Sequence, residues 1–424
     1  MKIKNTLIAA LAAIGLAQAA SAVPATKYLY ITGSTANGDV AHQAIIHVFQ
    51  SSGNTFNGVS CEGSALAGSK IAVISGSISG QPWQVKTYLT GSEAGIQSTC
   101  IGLNMPFQAD ISVTGGTTNT GLLAATETDT HAADVTFSDT FQSTSRFNGT
   151  VNGTNYTTLA SVTGVATNGI IGVVPFKFIA TSDAASQGIT NLTTQVAYAL
   201  WNSGYLPLNT FSGRAADHSK NVYVTGRNID SGTRLTAMGV IGIGANTGVT
   251  QYQMSTSAGA QITAAPTSTN NKVVKFPAAT INGISQALGN AGYTSGGKLS
   301  AALAASSTNY GGTANLAAII GYAGVTDCDP QMTNASNPLS ELAYNGILLG
   351  GTNGNYNTNT LLTEGIYPFW TYEHLLLSSS ANADTTGRLA LANLIASQLY
   401  TTDSIVLYGN MAVSRTADGG SITY

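Results

Sequence analysis

Two arginines bracket a small-residue turn in Arg227-Asn228-Ile229-Asp230-Ser231-Gly232-Thr233-Arg234. The alternating run Asn221-Val222-Tyr223-Val224-Thr225 before it predicts a strand, and Leu235 and Met238 after it stand at helical spacing. A strand, a Ser-Gly-Thr turn and a helix start gather backbone N–H groups and two hydroxyls around one point. The first turn of a helix leaves donors unpaired and carries a partial positive charge, so that point suits an anion. Arg227 and Arg234 add guanidinium donors matched to a tetrahedral oxyanion. The chemistry implied is oxyanion binding.

Two other stretches repeat the device. Tyr28-Leu29-Tyr30-Ile31 predicts a strand, Thr32-Gly33-Ser34-Thr35-Ala36 a turn, and Val40, Ala44, Ile45, Val48 and Phe49 one face of a helix. Val85-Lys86-Thr87-Tyr88-Leu89 leads into Thr90-Gly91-Ser92-Glu93-Ala94-Gly95, where Gly91 and Gly95 let the backbone approach a ligand closely. A fourth stretch, Ala133 to Asp139, places a carboxylate after a short apolar run.

These turns need elements to hold them. Ile170-Ile171-Gly172-Val173-Val174-Pro175-Phe176 predicts a buried strand, and Leu192 to Trp201 a helix ended by Asn202-Ser203-Gly204. Residues 101–130 and 240–270 are rich in Thr, Gly, Asn and Ser and predict loops; Ile284 to Leu288 predicts a helical segment. Strands alternating with helices imply an α/β architecture with largely parallel sheets.

Composition narrows the function. Lys2 and Lys4, the apolar run Leu7 to Leu16 and Ala20-Ser21-Ala22 together predict a cleaved secretory signal peptide over residues 1–22 rather than a membrane anchor, since the apolar run is too short to span a bilayer. Its removal leaves 402 residues and takes the net charge from −3 to −5. Charged residues make up 8% of the chain, against about 25% in an average soluble protein. With 43% hydrophobic residues the chain still has enough apolar material for a core, so its surface must be Ser, Thr, Asn and Gly. So little basic charge argues against nucleic-acid binding. Cys61, Cys100 and Cys328 allow three single pairings, of which Cys61–Cys100 is favoured and is worth roughly 4 kcal/mol in the chain-entropy model.

Enzymatic alternatives are weaker. Asp230-Ser231-Gly232-Thr233 matches the Asp-Ser/Thr-Gly motif of pepsin-like proteases, but Ile31 stands where the second aspartate is needed. Gly292-Tyr293-Thr294-Ser295-Gly296-Gly297-Lys298-Leu299 approaches a phosphate-binding P-loop, yet Leu299 replaces the magnesium-holding hydroxyl, so a surface turn is expected. His42, His47, His131, His218 and His374 show no metal spacing, and no Gly-x-Ser-x-Gly nucleophile turn occurs. No catalytic residue, metal or cofactor is expected.

The order of these motifs resembles the PstS-like periplasmic phosphate-binding proteins, within the type 2 solute-binding proteins of ABC uptake systems. The resemblance spans nearly the whole mature chain. It rests on Ile31-Thr32-Gly33-Ser34-Thr35, Gly91-Ser92-Glu93-Ala94-Gly95, Ser138-Asp139, Arg227…Ser231-Gly232-Thr233, Ile320-Gly321-Tyr322 and Tyr367-Pro368. It implies a two-lobe α/β fold with a hinge: residues 23–177 as lobe I, 178–330 as lobe II and 331–424 returning to lobe I. It also implies that Thr35, Ala36, Ser92, Asp139, Arg227, Ser231, Gly232 and Thr233 bind one phosphate.

The expected function is therefore that of a periplasmic or secreted monomer that binds inorganic phosphate, or a similar oxyanion, and hands it to an ABC permease. A buried oxyanion needs many donors. Asp139 fits because hydrogen phosphate carries a proton to donate to it, whereas ionised sulfate does not. Glu93 either points away from the ligand or weakens its binding. The alternative is a secreted or cell-surface structural or interaction protein on the same scaffold.

Overall fold

The computed structural model describes residues 24–424, apart from 64, 113–114, 121–127, 335 and 352–355. The predicted leader, residues 1–22, lies outside the described residues.

The strand Lys27–Gly33 shows how the sequence writes the fold. Its side chains alternate between faces. Leu29 and Ile31 are fully buried against Ile45 and Phe49 of the helix Gly38–Gln50 and Leu391 and Ile395 of the helix Arg388–Gln398. Tyr30 points the other way, onto Met105, Phe107 and Ala133. The helix Thr194–Ser203 is bounded as its residues dictate. The Thr193 hydroxyl accepts from the Val196 N–H at 3.2 Å, and Gly204 ends it in the left-handed region at φ 90.

One large sheet runs through the molecule in the order Tyr205–Pro207, Asn221–Val224, Leu316–Gly324, Ile170–Ala180, Trp370–Leu377, Val135–Ser138, Lys27–Gly33, Gln81–Tyr88, Ile71–Ile78, Asn54–Cys61, Thr117–Thr120. The chain is α/β, but the sheet is mixed, and the expectation of largely parallel strands is corrected. Lys27–Gly33 is parallel to both neighbours, whereas Ile71–Ile78 is antiparallel to both of its own, Asn54–Cys61 and Gln81–Tyr88. The cause is local. Ser79 and Gly80, at φ 49 and 80, make a two-residue turn whose twist matches a hairpin.

The same turn chemistry corrects the helix expected at Ile284 to Leu288. Ile284–Gln286 is a strand paired with Ala279–Ile281 across Asn282-Gly283, again both at positive φ. The loops expected at 101–130 and 240–270 also contain strands, Asn104–Gln108 paired with Thr128–Ala132, and Tyr252–Ser255.

The strand Ile170–Ala180 joins the two ends of this sheet. Residues 170–175 pair with residues 370–374, and residues 176–180 pair with residues 320–324. The change of partner falls at Pro175, which has no N–H to contribute to a ladder. Phe176, Phe178, Trp201, Tyr322 and Trp370 fill one core beside this crossover, and Ile179, Tyr293, Leu299 and Ile319 belong to another.

Candidate functional site

The helix Gly232–Val240 begins as its turn demands, with the Ser231 hydroxyl accepting from the Arg234 N–H at 3.3 Å. Arg227 precedes this cap and is 1% exposed. Its Nε donates to the Tyr293 carbonyl at 3.2 Å, and its Nη2 to the Thr294 carbonyl at 3.2 Å and Thr35 Oγ1 at 3.4 Å. Nη1 is buried and has no partner among the described residues. Burial lowers the Arg227 pKa, while Asp327 and Asp139 favour its charged form. Arg234 behaves differently. Its guanidinium is spent on the Arg227 and Asn290 carbonyls, at 3.2 and 2.7 Å, and on Asn290 Oδ1, so it braces the turn.

Asp139 follows the strand Val135–Ser138 and is 2% exposed. Its Oδ1 accepts from the Ser92 hydroxyl and its Oδ2 from the Thr233 hydroxyl at 3.2 Å. Its own N–H donates to Ser92 Oγ at 3.1 Å. Ser92 opens the helix Ser92–Ile101 and Thr233 lies in the first turn of Gly232–Val240. One carboxylate thus sits where the starts of two helices meet, the place their dipoles favour for negative charge. Glycine makes this fit possible: a Cβ on Gly232 would stand 1.9 Å from Asp139 Oδ1. Burial pushes the Asp139 carboxyl up, opposed by Ser92, Arg227 and Thr233.

The structure therefore brings Ser92, Asp139, Gly232 and Thr233 into direct contact, with Arg227 reaching Thr35 nearby. Ser231 serves as the helix cap. Ala36 is buried, and its N–H donates to Ser34 Oγ at 3.2 Å. Glu93 turns away from this cluster. Its carboxylate takes the Ser145 hydroxyl at 3.0 Å and the Arg146 N–H at 3.1 Å, and burial pushes it up to about 7.

Three ionisable groups nearby escaped the sequence reading. Glu373 is 1% exposed, and burial, with Asp139 adding to it and the Ser34 hydroxyl opposing it, raises its pKa well above the ordinary range. A single acid inside the apolar run Trp370–Leu377 was the available signal. Asp327, facing Arg227 and Lys70, is raised to about 6 by burial. The Lys70 amine is lowered to about 8 by burial, with Arg227 and Lys298 adding to the shift. Lys70 lies in a loop and carries no periodicity that would mark it.

Lys70 and Leu89 line both of two neighbouring clefts, of about 510 and 290 Å³. Thr294 lines the larger and Thr35 the smaller. Arg227 lines neither space, but its Nη2 reaches one lining residue of each.

Two other expectations are corrected, the disulfide and the surface turn. Cys61 and Cys100 are free. The Cys61 thiol faces the Asn119 carbonyl inside the sheet, whereas the Cys100 thiol faces Thr157 and Gln142 at the end of a helix, so no bond closes. The supposed surface turn at 292–299 is a helix start, with buried Ser295 capping Gly296–Leu303. Asp230 Oδ1 pairs with Asn282 at 2.7 Å rather than with a second aspartate. No group of three or more His, Cys, Asp or Glu among the described residues is placed to hold a metal. Among them, too, no helix is long and apolar enough to cross a membrane.

No family model and no curated protein matches the sequence. Solved structures do. PstS from Borrelia burgdorferi is 11% identical over 88% of this chain and 97% of that one, with a TM-score of 0.34. A possible phosphate binding protein from Planctomyces limnophilus is 10% identical over 88% and 98%, with a TM-score of 0.33. The chain is similar, too, to a proposed phosphate ABC transporter substrate-binding protein from Clostridium perfringens, solved with bound phosphate, at 11% identity over 89% of this chain and 98% of that one, with a TM-score of 0.41.

Proposed function

We propose that this chain is an extracytoplasmic binding protein for phosphate, or a similar tetrahedral oxyanion, and that it passes its ligand to an ABC permease without making or breaking a bond. The observation that carries this reading is Arg227: a buried guanidinium with Nη1 unpartnered, beside two helix starts and two hydroxyl-bearing turns. A charge kept out of water without a full set of partners is costly, and a dianion in contact with Nη1 would remove that cost.

In this reading Asp139 holds the Ser92 and Thr233 hydroxyls in place until ligand arrives. Hydrogen phosphate then donates a hydrogen bond from its P–OH to the carboxylate and accepts from the surrounding donors. Lobe I comprises residues 23–177 and 331–424, lobe II residues 178–330, and the hinge lies where Ile170–Ala180 changes partners at Pro175. Closure of the lobes is a population shift, driven by tighter binding to the closed form.

Calorimetry on the mature chain tests the proposal. Phosphate is expected to bind with a micromolar constant, about −8 kcal/mol. Arg227→Met is expected to weaken it about a hundredfold, the ~3 kcal/mol of a strong charge-assisted hydrogen bond. Absence of heat from the parent protein at high micromolar phosphate overturns inorganic phosphate as the ligand.

A further inference from the structure

The larger cleft is too roomy for an inorganic anion alone. Its volume of about 510 Å³ falls within the range of organic-ligand sites, about 300–1,000 Å³. Tyr88, Thr90 and Gln97 wall it on one side, and Asn228, Asp230 and Asn282 on the other. Amides, hydroxyls and a carboxylate together offer both donors and acceptors, which is what a row of alcohol groups requires. Leu89 and Met105 supply an apolar floor of the kind a carbon skeleton covers.

Two groups in this wall lack partners. Asn228 is 6% exposed, and its Oδ1 has no hydrogen-bond partner among the described residues. Lys70 has its backbone tied, with its N–H donating to Glu62 Oε1 at 2.8 Å and its carbonyl accepting from Leu89, while its amine makes no hydrogen bond or ion pair among the described residues. Both residues flank the position of Arg227, whose Nη1 is also unpartnered. A buried acceptor and an amine without a hydrogen bond thus line the cleft, and Arg227, whose Nη2 holds the lining residue Thr294, keeps one buried N–H group unpartnered.

We infer that the ligand is a phosphate monoester of a polyhydroxylated, sugar-like group, its phosphate at Arg227 and its alcohols in the larger cleft. Lys70 and Arg227 supply the positive charge that a monoester dianion requires, and Asp327, which faces both, is raised to about 6 by burial and so gives up its own charge readily. Asn228 Oδ1 accepts from an alcohol that inorganic phosphate does not carry. This inference rests on the oxyanion reading above and names its ligand class more closely.

Titration calorimetry with inorganic phosphate, glucose 6-phosphate, glycerol 3-phosphate and glucose separates the two readings. At least one of the two monoesters is expected to bind about tenfold or more tightly than inorganic phosphate, the ~1.4 kcal/mol of one or two net hydrogen bonds, and glucose is expected to give no heat. Asn228→Ala and Lys70→Met, each checked by its melting curve, are expected to bring that ratio towards one. Phosphate binding with both monoesters equal or weaker overturns this inference and leaves the oxyanion reading standing. Binding of neither phosphate nor either monoester overturns both. Heat from glucose alone, or an unchanged ratio in both folded variants, also overturns the inference.

Discussion

Asp139 and Thr233, 94 residues apart in the chain, meet through a 3.2 Å hydrogen bond from the threonine hydroxyl to Oδ2. With Ser92 on the other carboxylate oxygen, this bond links three separate stretches: the end of Val135–Ser138 and the first turns of two helices. Negative charge is favoured at a helix start, so the protein's own carboxylate holds ground on which an incoming anion would also be stabilised. Any ligand bound here must cooperate with Asp139 or displace it.

Gly232→Ala tests how tightly that junction is packed. The new methyl would stand 1.9 Å from Asp139 Oδ1 and 2.7 Å from Thr140 Cγ2, so the carboxylate must move. A loss of about 1–3 kcal/mol in urea unfolding is expected, as for other overpacked cores. A midpoint unchanged from the parent would show the junction to be loose.

Asp139→Asn tests discrimination. The amide keeps the shape and removes the charge that repels a fully ionised anion. The preference for phosphate over sulfate, measured by competition, is expected to narrow about tenfold, the ~1.4 kcal/mol of one such interaction. An unchanged ratio rules out this role for Asp139.

Stability should fall as pH rises from 5 to 7.5. Burial raises Glu93 to about 7 and Asp230, Asp327 and Asp418 to about 6. Between the ordinary carboxylate value near ~4 and these values, the folded chain keeps protons that the unfolded chain has lost. Stability from these groups is thus complete at low pH and lost as pH passes through the raised values. His42 and His374, lowered to about 4 by burial, act in the opposite sense below their ordinary value of ~6.5. Four acids outweigh two histidines, so calorimetry should give a higher melting temperature at pH 5 than at pH 7.5. Glu93→Gln should make the curve shallower between pH 6 and 7, above the raised values of the three aspartates.

Lys177→Met should be among the costliest single changes. The Lys177 amine is fully buried, 2.9 Å from Asp329 Oδ1, 3.1 Å from Glu341 Oε2 and 2.7 Å from the Gly351 carbonyl. Removing it strands two carboxylates, and a loss of about 3–5 kcal/mol in urea unfolding at constant slope is expected. A loss below about 1 kcal/mol would place the acids in contact with water.

All three cysteines should titrate as thiols in denaturant without reductant. In the native chain Cys100, the partly exposed one, should react first, slowed by the burial that raises its pKa to about 12, while Cys61 and Cys328 stay protected. Fewer than three thiols in the unfolded, unreduced chain would reveal a disulfide.

Much was determined by sequence alone because its causes are short-ranged. The alternation of Tyr28 to Ile31, the Ser231 cap and the helix start after it are properties of a few neighbouring residues. The meeting of Ser92, Asp139, Thr233 and Arg227 was expected only as a family pattern, since nothing local ties them together. Tertiary structure alone decided the remainder. It turned the strands between residues 54 and 88 into hairpins, held the Cys61 and Cys100 thiols on different elements, and tied the Ala36 N–H to Ser34. It also buried Glu373 and set Lys70 between two clefts. The physical reason is common to these cases: burial and partner choice depend on which distant segments arrive alongside, and no local window of the chain contains that information.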